Sequence, residues 1–317
     1  RQYSTPIAMD DLNEIREALG YSQINLMGGS YGTRAALIYM RRHPETVRTA
    51  ILNGVAPLKF TNPLYHAWGA QLALDRILAE CAADAACNAA FPDLEGKLEA
   101  VLQRLEEEPA AVTLQHPATG EEVEATLDRE GFAEGLRVMM YRSNRRVPLL
   151  IQQAYEGEVG PFAQAAMEAD RSVRDIIAFG MLMCVTCSED VARIDPELIG
   201  PLTDNTFAGP GRVRRQMEAC ADWPKSDLPE DFGEPVVVDV PVLILSGSLD
   251  PVTPPEWGEL LAAQLPSSRH LIVPGAHGVM GPCVNGMVQE LLDSGSVEGL
   301  DTSCVKRMGL GPFVLEE

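Results

Sequence analysis

The feature that most constrains the fold is an alternation of helices and short apolar strands that occurs at both ends of the chain. The first part places a helix, a strand, a helix and a strand at residues 9–19, 21–27, 34–42 and 47–52. The second part places a strand, a helix and a strand at residues 240–247, 255–264 and 269–273. Because such alternation is typical of a parallel sheet covered by helices, we predict one α/β domain formed by two separate segments of the chain.

About 180 residues lie between the two pieces, and their pattern is mostly helical. Amphipathic periodicity predicts helices at residues 66–79, 94–107, 129–141, 147–155 and 162–184. Alternating polarity at 111–115 and 122–127, joined by Pro and Gly, predicts a β-hairpin. We therefore expect a helical cap at 58–239, inserted between sheet segments at 1–57 and 240–317.

The sequence Gly28-Gly-Ser-Tyr-Gly32 lies between the first predicted strand and the next helix. In this G-x-S-x-G context a serine stands on a sharp strand-to-helix turn, which only small neighbours tolerate. We predict Ser30 as a nucleophile. The same turn brings the amide of Tyr31 to a helix N-terminus, where it can stabilise an oxyanion.

A serine nucleophile needs a base, and the base needs a carboxylate that orients it. Of the five histidines, His277 fits best, because it follows a strand in a loop flanked by glycine. Asp250 directly follows the strand at 240–247, at the edge where parallel sheets bind ligands. The order Ser30, Asp250, His277 along the chain is that of the α/β hydrolases.

The composition excludes several classes of protein. Twenty-five basic and 46 acidic residues give a net charge of −21, which argues against a nucleic-acid partner. No stretch approaches the roughly 18 apolar residues that a membrane span needs. Neither H-E-x-x-H nor paired C-x-x-C motifs occur, so we predict no metal and no cofactor. The single C-x-x-C, at Cys184 and Cys187, lacks a thioredoxin-like context.

Two segments carry a resemblance to a known family. INLMGGSYGTRAALIYMRRHPETVRTAILNGVAP resembles the nucleophile region of proline-iminopeptidase-like α/β hydrolases, and LILSGSLDPVTPPEWGELLAAQLPSSRHLIVPGAHGV resembles the C-terminal domain of the tripeptidyl-aminopeptidase-like group. The cap resembles that group more loosely, through CSED at 187–190 and CADWP at 220–224. The resemblance implies an α/β-hydrolase fold with Ser30, Asp250 and His277 as the triad and the Tyr31 amide in the oxyanion hole.

The resemblance also implies an exopeptidase that hydrolyses peptides from their free N-terminus through an acyl-enzyme. Such an enzyme must bind an α-ammonium group, and a carboxylate on the cap is the simplest device for this. We expect Glu189 to be that carboxylate. Asp190, Glu218 and Asp222 are lesser candidates, and Trp223 would either line the pocket or pack against the cap.

The family likeness suggests disulfides between Cys187 and Cys220 and between Cys283 and Cys304. A bridge from Cys81 to Cys87 would close a short local loop, which leaves Cys184 as the odd thiol. Cysteine usage and the family likeness together predict a secreted or periplasmic protein, although the chain contains no recognisable signal peptide.

The chain also departs from the family pattern. The family has several strands before the nucleophile, and their loops carry a His-Gly-Gly-Pro-type motif with a second oxyanion donor, which these 317 residues lack. We therefore expect a fragment of a longer polypeptide with an N-terminally incomplete sheet. Two other functions stay open: an esterase or other acyl hydrolase with the same triad, and an inactive, truncated hydrolase.

Overall fold

A computed structural model describes residues 2–142 and 144–316 of the chain. The helices are α1 (Thr5–Ala18), α2 (Tyr31–Arg42), α3 (His66–Ala83), α4 (Ala85–Ala90), α5 (Leu94–Glu107), α6 (Arg129–Met139), α7 (Val147–Tyr155), α8 (Val159–Arg174), α9 (Phe179–Glu189), α10 (Ile199–Thr203), α11 (Gly211–Cys220), α12 (Pro255–Ala262) and α13 (Pro282–Ser294). The strands are β1 (Ile24–Gly29), β2 (Val47–Asn53), β3 (Ala110–Gln115), β4 (Glu122–Leu127), β5 (Val242–Gly247) and β6 (Ser268–Val273).

Four strands from the two ends of the chain form one parallel sheet, in the order β1-β2-β5-β6. The central contact pairs β2 with β5, although about 190 residues separate them in sequence. Every residue of β5 is buried, as its unbroken apolar sequence predicts for a strand covered on both faces. The predicted α/β-hydrolase fold class, with a parallel sheet formed by both ends of the chain, is confirmed.

Side-chain alternation along the strands divides the core between the two faces of the sheet. Leu52, Val242 and Ile244 pack on the face that carries α2 and α12. Ile51, Leu243 and Leu245 pack on the opposite face, against α13. The same strands are therefore fixed from both sides, and their C-terminal ends are held rigidly at one edge of the sheet.

The helices between β2 and β5 have a core of their own. It is formed by side chains of α3, α5, α6, α7 and α8 together with the hairpin. Phe132 of α6 and Phe162 of α8 stack in its centre, with 3.7 Å between ring centroids. The hairpin predicted at 111–115 and 122–127 is present as the antiparallel pair β3–β4. The proposed division of the chain at 57/58 and 239/240 stays a prediction.

Two predicted elements differ in the structure. The single helix predicted at 162–184 is two helices, α8 and α9, separated by residues 175–178. The break lets α9 bury its C-terminal end, where Cys187 is bonded to α11, while Ile176 in the connection is 77% exposed. Farther upstream, β1 continues to Gly29 and α2 begins at Tyr31, so Ser30 alone forms the turn.

Three disulfide bonds are present in the described residues. They join Cys81 to Cys87, Cys187 to Cys220, and Cys283 to Cys304, which confirms the expected pairings. Cys184 is the remaining free thiol. The bond between α9 and α11 fixes two cap helices to each other, and the bond at Cys283 fixes the start of α13 to the C-terminal tail.

Candidate active site

Ser30 stands alone between β1 and α2, in a backbone conformation that side chains rarely adopt. Its φ is +53° and its ψ is −121°. The turn is tight, since a Cβ on Gly28 would lie 2.3 Å from the carbonyl oxygen of Gly32. The Ser30 amide donates to the Asn53 carbonyl oxygen at 2.9 Å, and the Ser30 carbonyl accepts from the Thr33 amide and hydroxyl at 2.9 and 2.6 Å. The strained turn is thereby held from both sides, as a nucleophile elbow requires.

Tyr31 is the first residue of α2, so its amide is among the N–H groups that a helix leaves without an internal acceptor. In the described part of the chain no acceptor contacts this amide. The phenol points away from the elbow and pairs with the Thr5 hydroxyl at 2.7 Å. Burial raises the pKa of Tyr31, so the phenol stays protonated. The backbone amide is free to bind an oxyanion while the ring is fixed elsewhere.

Asp250 and His277 follow β5 and β6, and their side chains meet above the sheet. His277 Nδ1 lies 2.8 Å from Asp250 Oδ2. The amides of Val252 and Thr253 donate to Asp250 Oδ1 at 2.9 and 2.8 Å, and the Thr253 hydroxyl donates to Oδ2 at 2.8 Å. Burial alone would raise the pKa of Asp250, but the charge and hydrogen bond of His277 and these amides hold it below its ordinary value.

An ionised Asp250 can only accept, so Nδ1 of His277 is the donor in this hydrogen bond, and Nε2 lies on the other side of the ring. The pair lies against the loop after β2, where a Cβ on Gly54 would approach the Thr253 hydroxyl to 3.0 Å and His277 Cε1 to 3.3 Å. In the described residues no hydrogen bond joins Ser30 to His277. Contacts of this kind are commonly long in unliganded enzymes and tighten when substrate binds.

Asn53, at the C-terminal end of β2, connects the serine turn to the histidine loop. Its amide nitrogen donates to the Val279 carbonyl at 2.7 Å, and its amide oxygen accepts from the Val279 N–H at 3.1 Å. Its backbone carbonyl accepts the Ser30 amide. The second strand was predicted at residues 47–52, one position short of Asn53, which was not among the predicted site residues. A polar side chain at the carboxyl end of a parallel strand was the available signal.

We expect replacement of Asn53 by Ala to slow the reaction of Ser30 by about 100-fold, because a misplacement of about 1 Å between reacting groups has that effect. The rate at which a fluorophosphonate probe labels Ser30 measures this directly. Asn25→Ala is the matched control. Asn25 lies near the start of β1, at the end remote from Ser30, and its side chain accepts a hydrogen bond from the Thr49 hydroxyl. Equal labelling rates in Asn53→Ala and the unmodified protein would contradict the positioning role.

Glu189 ends α9 and is fully buried. One carboxylate oxygen accepts from the Thr5 amide, and the other accepts from the Thr5 hydroxyl at 2.8 Å. The Thr5 hydroxyl also contacts the phenol of Tyr31, which places Glu189 two hydrogen bonds away from the residue that follows Ser30. Burial raises the pKa of Glu189. The assignment of Glu189 as the group that binds the substrate ammonium stays a prediction. In this conformation both oxygens of the carboxylate are hydrogen-bonded to Thr5.

The other residues considered for binding the substrate ammonium or lining its pocket lie in three different environments. Asp190 is buried and paired with Arg34 at 2.7 Å, so its charge is already compensated. Glu218 on α11 and Asp222 just after it are exposed, and Trp223 is half-buried. Among the other histidines, His270 contacts the Ser246 hydroxyl at 2.9 Å within the sheet, as expected for a packing role.

No helix in residues 2–142 and 144–316 has the length and apolar character to cross a membrane. The same residues contain no group of three or more His, Cys, Asp or Glu side chains that could hold a metal ion.

The chain is similar to known proteins over part of its length. Residues 205–304, which contain Asp250 and His277, match the family model described as TAP-like protein. The chain is 25% identical over 262 residues to "Putative hydrolase YuaR" of Escherichia coli (strain K12), covering 78% of this chain and 51% of that protein. It is 38% identical over 82 residues to the serine protease Hip1 of Mycobacterium tuberculosis (strain ATCC 25618 / H37Rv), covering 24% and 15% respectively.

Similar solved structures include an esterase (EaEST) from Exiguobacterium antarcticum, with 15% identity, a TM-score of 0.37 and coverage of 93% of this chain and 75% of that one. Another is MGS-M2, an α/β hydrolase from a deep-sea metagenome, with 16% identity, a TM-score of 0.35 and coverage of 87% and 66%. The chain thus spans about half the length of YuaR and a smaller part of Hip1. Residues 205–304 thus match the TAP-like family model, and the parallel sheet of the chain has the α/β-hydrolase fold class.

Proposed function

We propose that the chain is a serine exopeptidase that releases residues from the free N-terminus of peptides. The observation that carries the proposal is Ser30 on a strained strand-to-helix turn, at the sheet edge where the hydrogen-bonded Asp250–His277 pair follows the last two strands. The TAP-like segment and the partial similarity to a serine protease support a peptide as the substrate. A buried cap carboxylate near Tyr31, Glu189, supports recognition of a free amine.

In the proposed reaction, Ser30 Oγ attacks the scissile carbonyl carbon while His277 Nε2 accepts its proton. Asp250 stabilises the imidazolium, and the Tyr31 amide donates to the oxyanion of the tetrahedral intermediate. The C–N bond then breaks as His277 returns the proton to the departing amine, which leaves an ester on Ser30. Water, deprotonated by His277, hydrolyses this ester and restores the serine.

Glu189 would bind the substrate ammonium by exchanging its present donors. Thr5 offers Glu189 only neutral donors, one N–H and one hydroxyl, and burial raises the pKa of this carboxyl group. An ammonium brings a full positive charge and three donors, which compensates a buried carboxylate better than neutral dipoles do. The proposal therefore requires the N-terminal end of α1 to move away from Glu189 when a peptide binds.

A comparison of matched peptides with free and acetylated N-termini tests this proposal. We expect hydrolysis of the free amine to be faster, and Glu189→Gln to lower its kcat/KM by about 10- to 100-fold, the value of one charged hydrogen bond. Glu218→Gln, an exposed carboxylate on α11, is the matched control and should change nothing. Equal rates on acetylated and free peptides would contradict the aminopeptidase and favour an esterase or other acyl hydrolase.

We also propose an extracellular or cell-envelope location. Three disulfide bonds among the described residues are typical of proteins that fold in an oxidising compartment. Blocking free thiols in protein recovered from its native host checks this. We expect Cys184 alone to react before reduction and six further thiols to react after it.

A further inference from the structure

Arginines gather on a concave surface of the cap, in a chain whose net charge is −21. A small cavity of about 20 Å³ and an adjoining one of about 250 Å³ share several lining residues between α6 and α11. The arginines that line them are Arg129, Arg137, Arg212, Arg214 and Arg215. The carboxylates there are Glu130 and Glu134, with Glu106 beside Arg129 at 3.7 Å. Five guanidinium groups against three carboxylates leave this surface positive.

Arg212 is held in place but keeps part of its guanidinium free. Its Nη1 donates to Glu134 at 2.6 Å, and its Nε donates to His66 Nδ1 at 3.0 Å. In the described residues Nη2 has no partner, and 40% of the side chain remains exposed. Burial holds the pKa of His66 well below its usual range, so the imidazole is neutral and accepts from Arg212. The guanidinium is thus oriented by two partners, and both N–H groups of Nη2 lack an acceptor in the described residues.

Glu134 organises the cluster rather than neutralising it. It accepts from Arg137 at 2.9 and 2.6 Å as well as from Arg212. Burial would raise its pKa, but the hydrogen bond and charge of Arg137 and the charge of Arg212 lower it to about 2. An ionised carboxylate that accepts hydrogen bonds from two guanidinium groups balances only one of their two positive charges. A second anion is what this arrangement lacks.

The cluster contacts the candidate active site through one side chain. Arg137 donates to the Tyr141 hydroxyl at 3.2 Å, and the Tyr141 ring packs edge-on against the His277 ring, with 5.2 Å between centroids. Tyr141 thus lies between Arg137, which lines the cavity, and the proposed base His277. Guanidinium groups are the side chains best suited to bind carboxylates, because their donors match the two oxygens.

We propose that the cavity between α6 and α11 is a subsite for a substrate carboxylate, either the C-terminal carboxylate of a short peptide or that of an acidic side chain. Arg212 is the residue that binds it, and Arg137 and Glu134 position Arg212. This inference rests on the proposed peptidase function, and it adds that short or acidic peptides are the preferred substrates.

Calorimetric titration of the Ser30→Ala protein with matched tetrapeptides tests the inference without turnover. One pair is Ala-Ala-Ala-Ala with a free carboxylate or a C-terminal amide; the other is Ala-Ala-Ala-Glu amide or Ala-Ala-Ala-Gln amide. We expect the charged member of at least one pair to bind about tenfold more tightly. The pair that shows the difference identifies the source of the carboxylate. Equal affinities in both pairs, or no measurable binding of either charged peptide, would overturn the inference.

Adding Arg212→Gln to Ser30→Ala should abolish the difference, whereas Arg171→Gln, an exposed arginine paired with Asp175, should leave it unchanged. If Arg212→Gln lowers the melting temperature too far, Arg212→Lys replaces it. We then expect the preference for the charged peptide to fall about threefold. A lysine ammonium lacks the planar, paired donors with which a guanidinium can bind Glu134 and a carboxylate ligand together. A full preference in either Arg212 variant would refute this assignment. Failure of the peptidase proposal would appear separately, as absence of peptide turnover by the unmodified protein.

Discussion

Replacing Ser30 by Ala is expected to lower the hydrolysis rate by about five to six orders of magnitude, since loss of a triad serine removes the covalent route entirely. The fold should be unaffected, because the contacts that hold the turn are made by the backbone of Ser30 and not by its hydroxyl. Labelling by a fluorophosphonate probe and mass spectrometry of the labelled peptide measure the effect. Persistence of labelling in Ser30→Ala would show that another residue is the nucleophile.

The same position offers a stability test that is independent of activity. At a φ of +53° a side chain is strained, and glycine is not. We expect Ser30→Gly to raise the free energy of unfolding by about 1 kcal/mol relative to Ser30→Ala, measured by urea denaturation. If the unmodified protein folds but neither turns over substrate nor reacts with the probe, the inactive-hydrolase alternative is favoured.

The sequence predicted the sheet, the turn at Ser30 and the pairing of Asp250 with His277 because each depends on local signals. Short apolar strands, the glycines around Ser30, and single polar residues directly after strands can each be read within ten residues. The parallel order then brings the ends of β1, β5 and β6 to one edge, so Asp250 and His277 meet although 27 residues separate them. The hairpin followed from a turn signal, and the Cys81–Cys87 bond from a short separation in sequence. The other two disulfides followed from family likeness.

What the sequence did not predict are contacts between side chains far apart in the chain. Asn53 and Val279 are 226 residues apart, and Thr5 and Glu189 are 184 apart. Nothing in the local pattern of either partner identifies the other. The first pair forms only when β2 and the loop after β6 meet, and the second only when α9 packs against the start of α1. The break between α8 and α9 was missed for a related reason. Residues 175–178 contain neither Gly nor Pro, and it is burial of the end of α9 that separates the helices.

Net charge was also a poor guide to the surface near the site. A value of −21 favours cationic partners on average, yet the arginines of α6 and α11 make a positive cavity within a negative protein. The distribution of charge over the surface, and not the net charge of the protein, determines which ligands a concave surface attracts. An acidic exterior around a basic cavity would direct anionic substrates to that cavity alone.

Removing Asp190 is expected to have the largest effect on stability. Arg34 on α2 and Asp190 after α9 form an ion pair at 2.7 Å whose side chains are 3% and 1% exposed. Arg34 also donates to the Phe60 carbonyl. Asp190→Ala leaves a buried guanidinium without its counter-charge, and breaking such a pair costs about 3–5 kcal/mol. Urea denaturation measures the free energy of unfolding, and the exposed pair Arg171–Asp175 supplies the control Asp175→Ala, with a loss below about 0.5 kcal/mol.

A double variant separates the cost of an unpaired charge from the value of the pair itself. In Arg34→Met with Asp190→Leu no charge remains buried, so most of the stability lost in Asp190→Ala should return. Because Arg34 lies one turn after Ser30, labelling of Ser30 by the fluorophosphonate probe should show whether the turn is intact in the double variant, and we expect labelling to persist. If the free energies of unfolding of Asp190→Ala and the unmodified protein differ by less than about 0.5 kcal/mol, the pair does not hold α9 to α2. A double variant as unstable as Asp190→Ala would instead assign the loss to packing around Arg34 and not to charge.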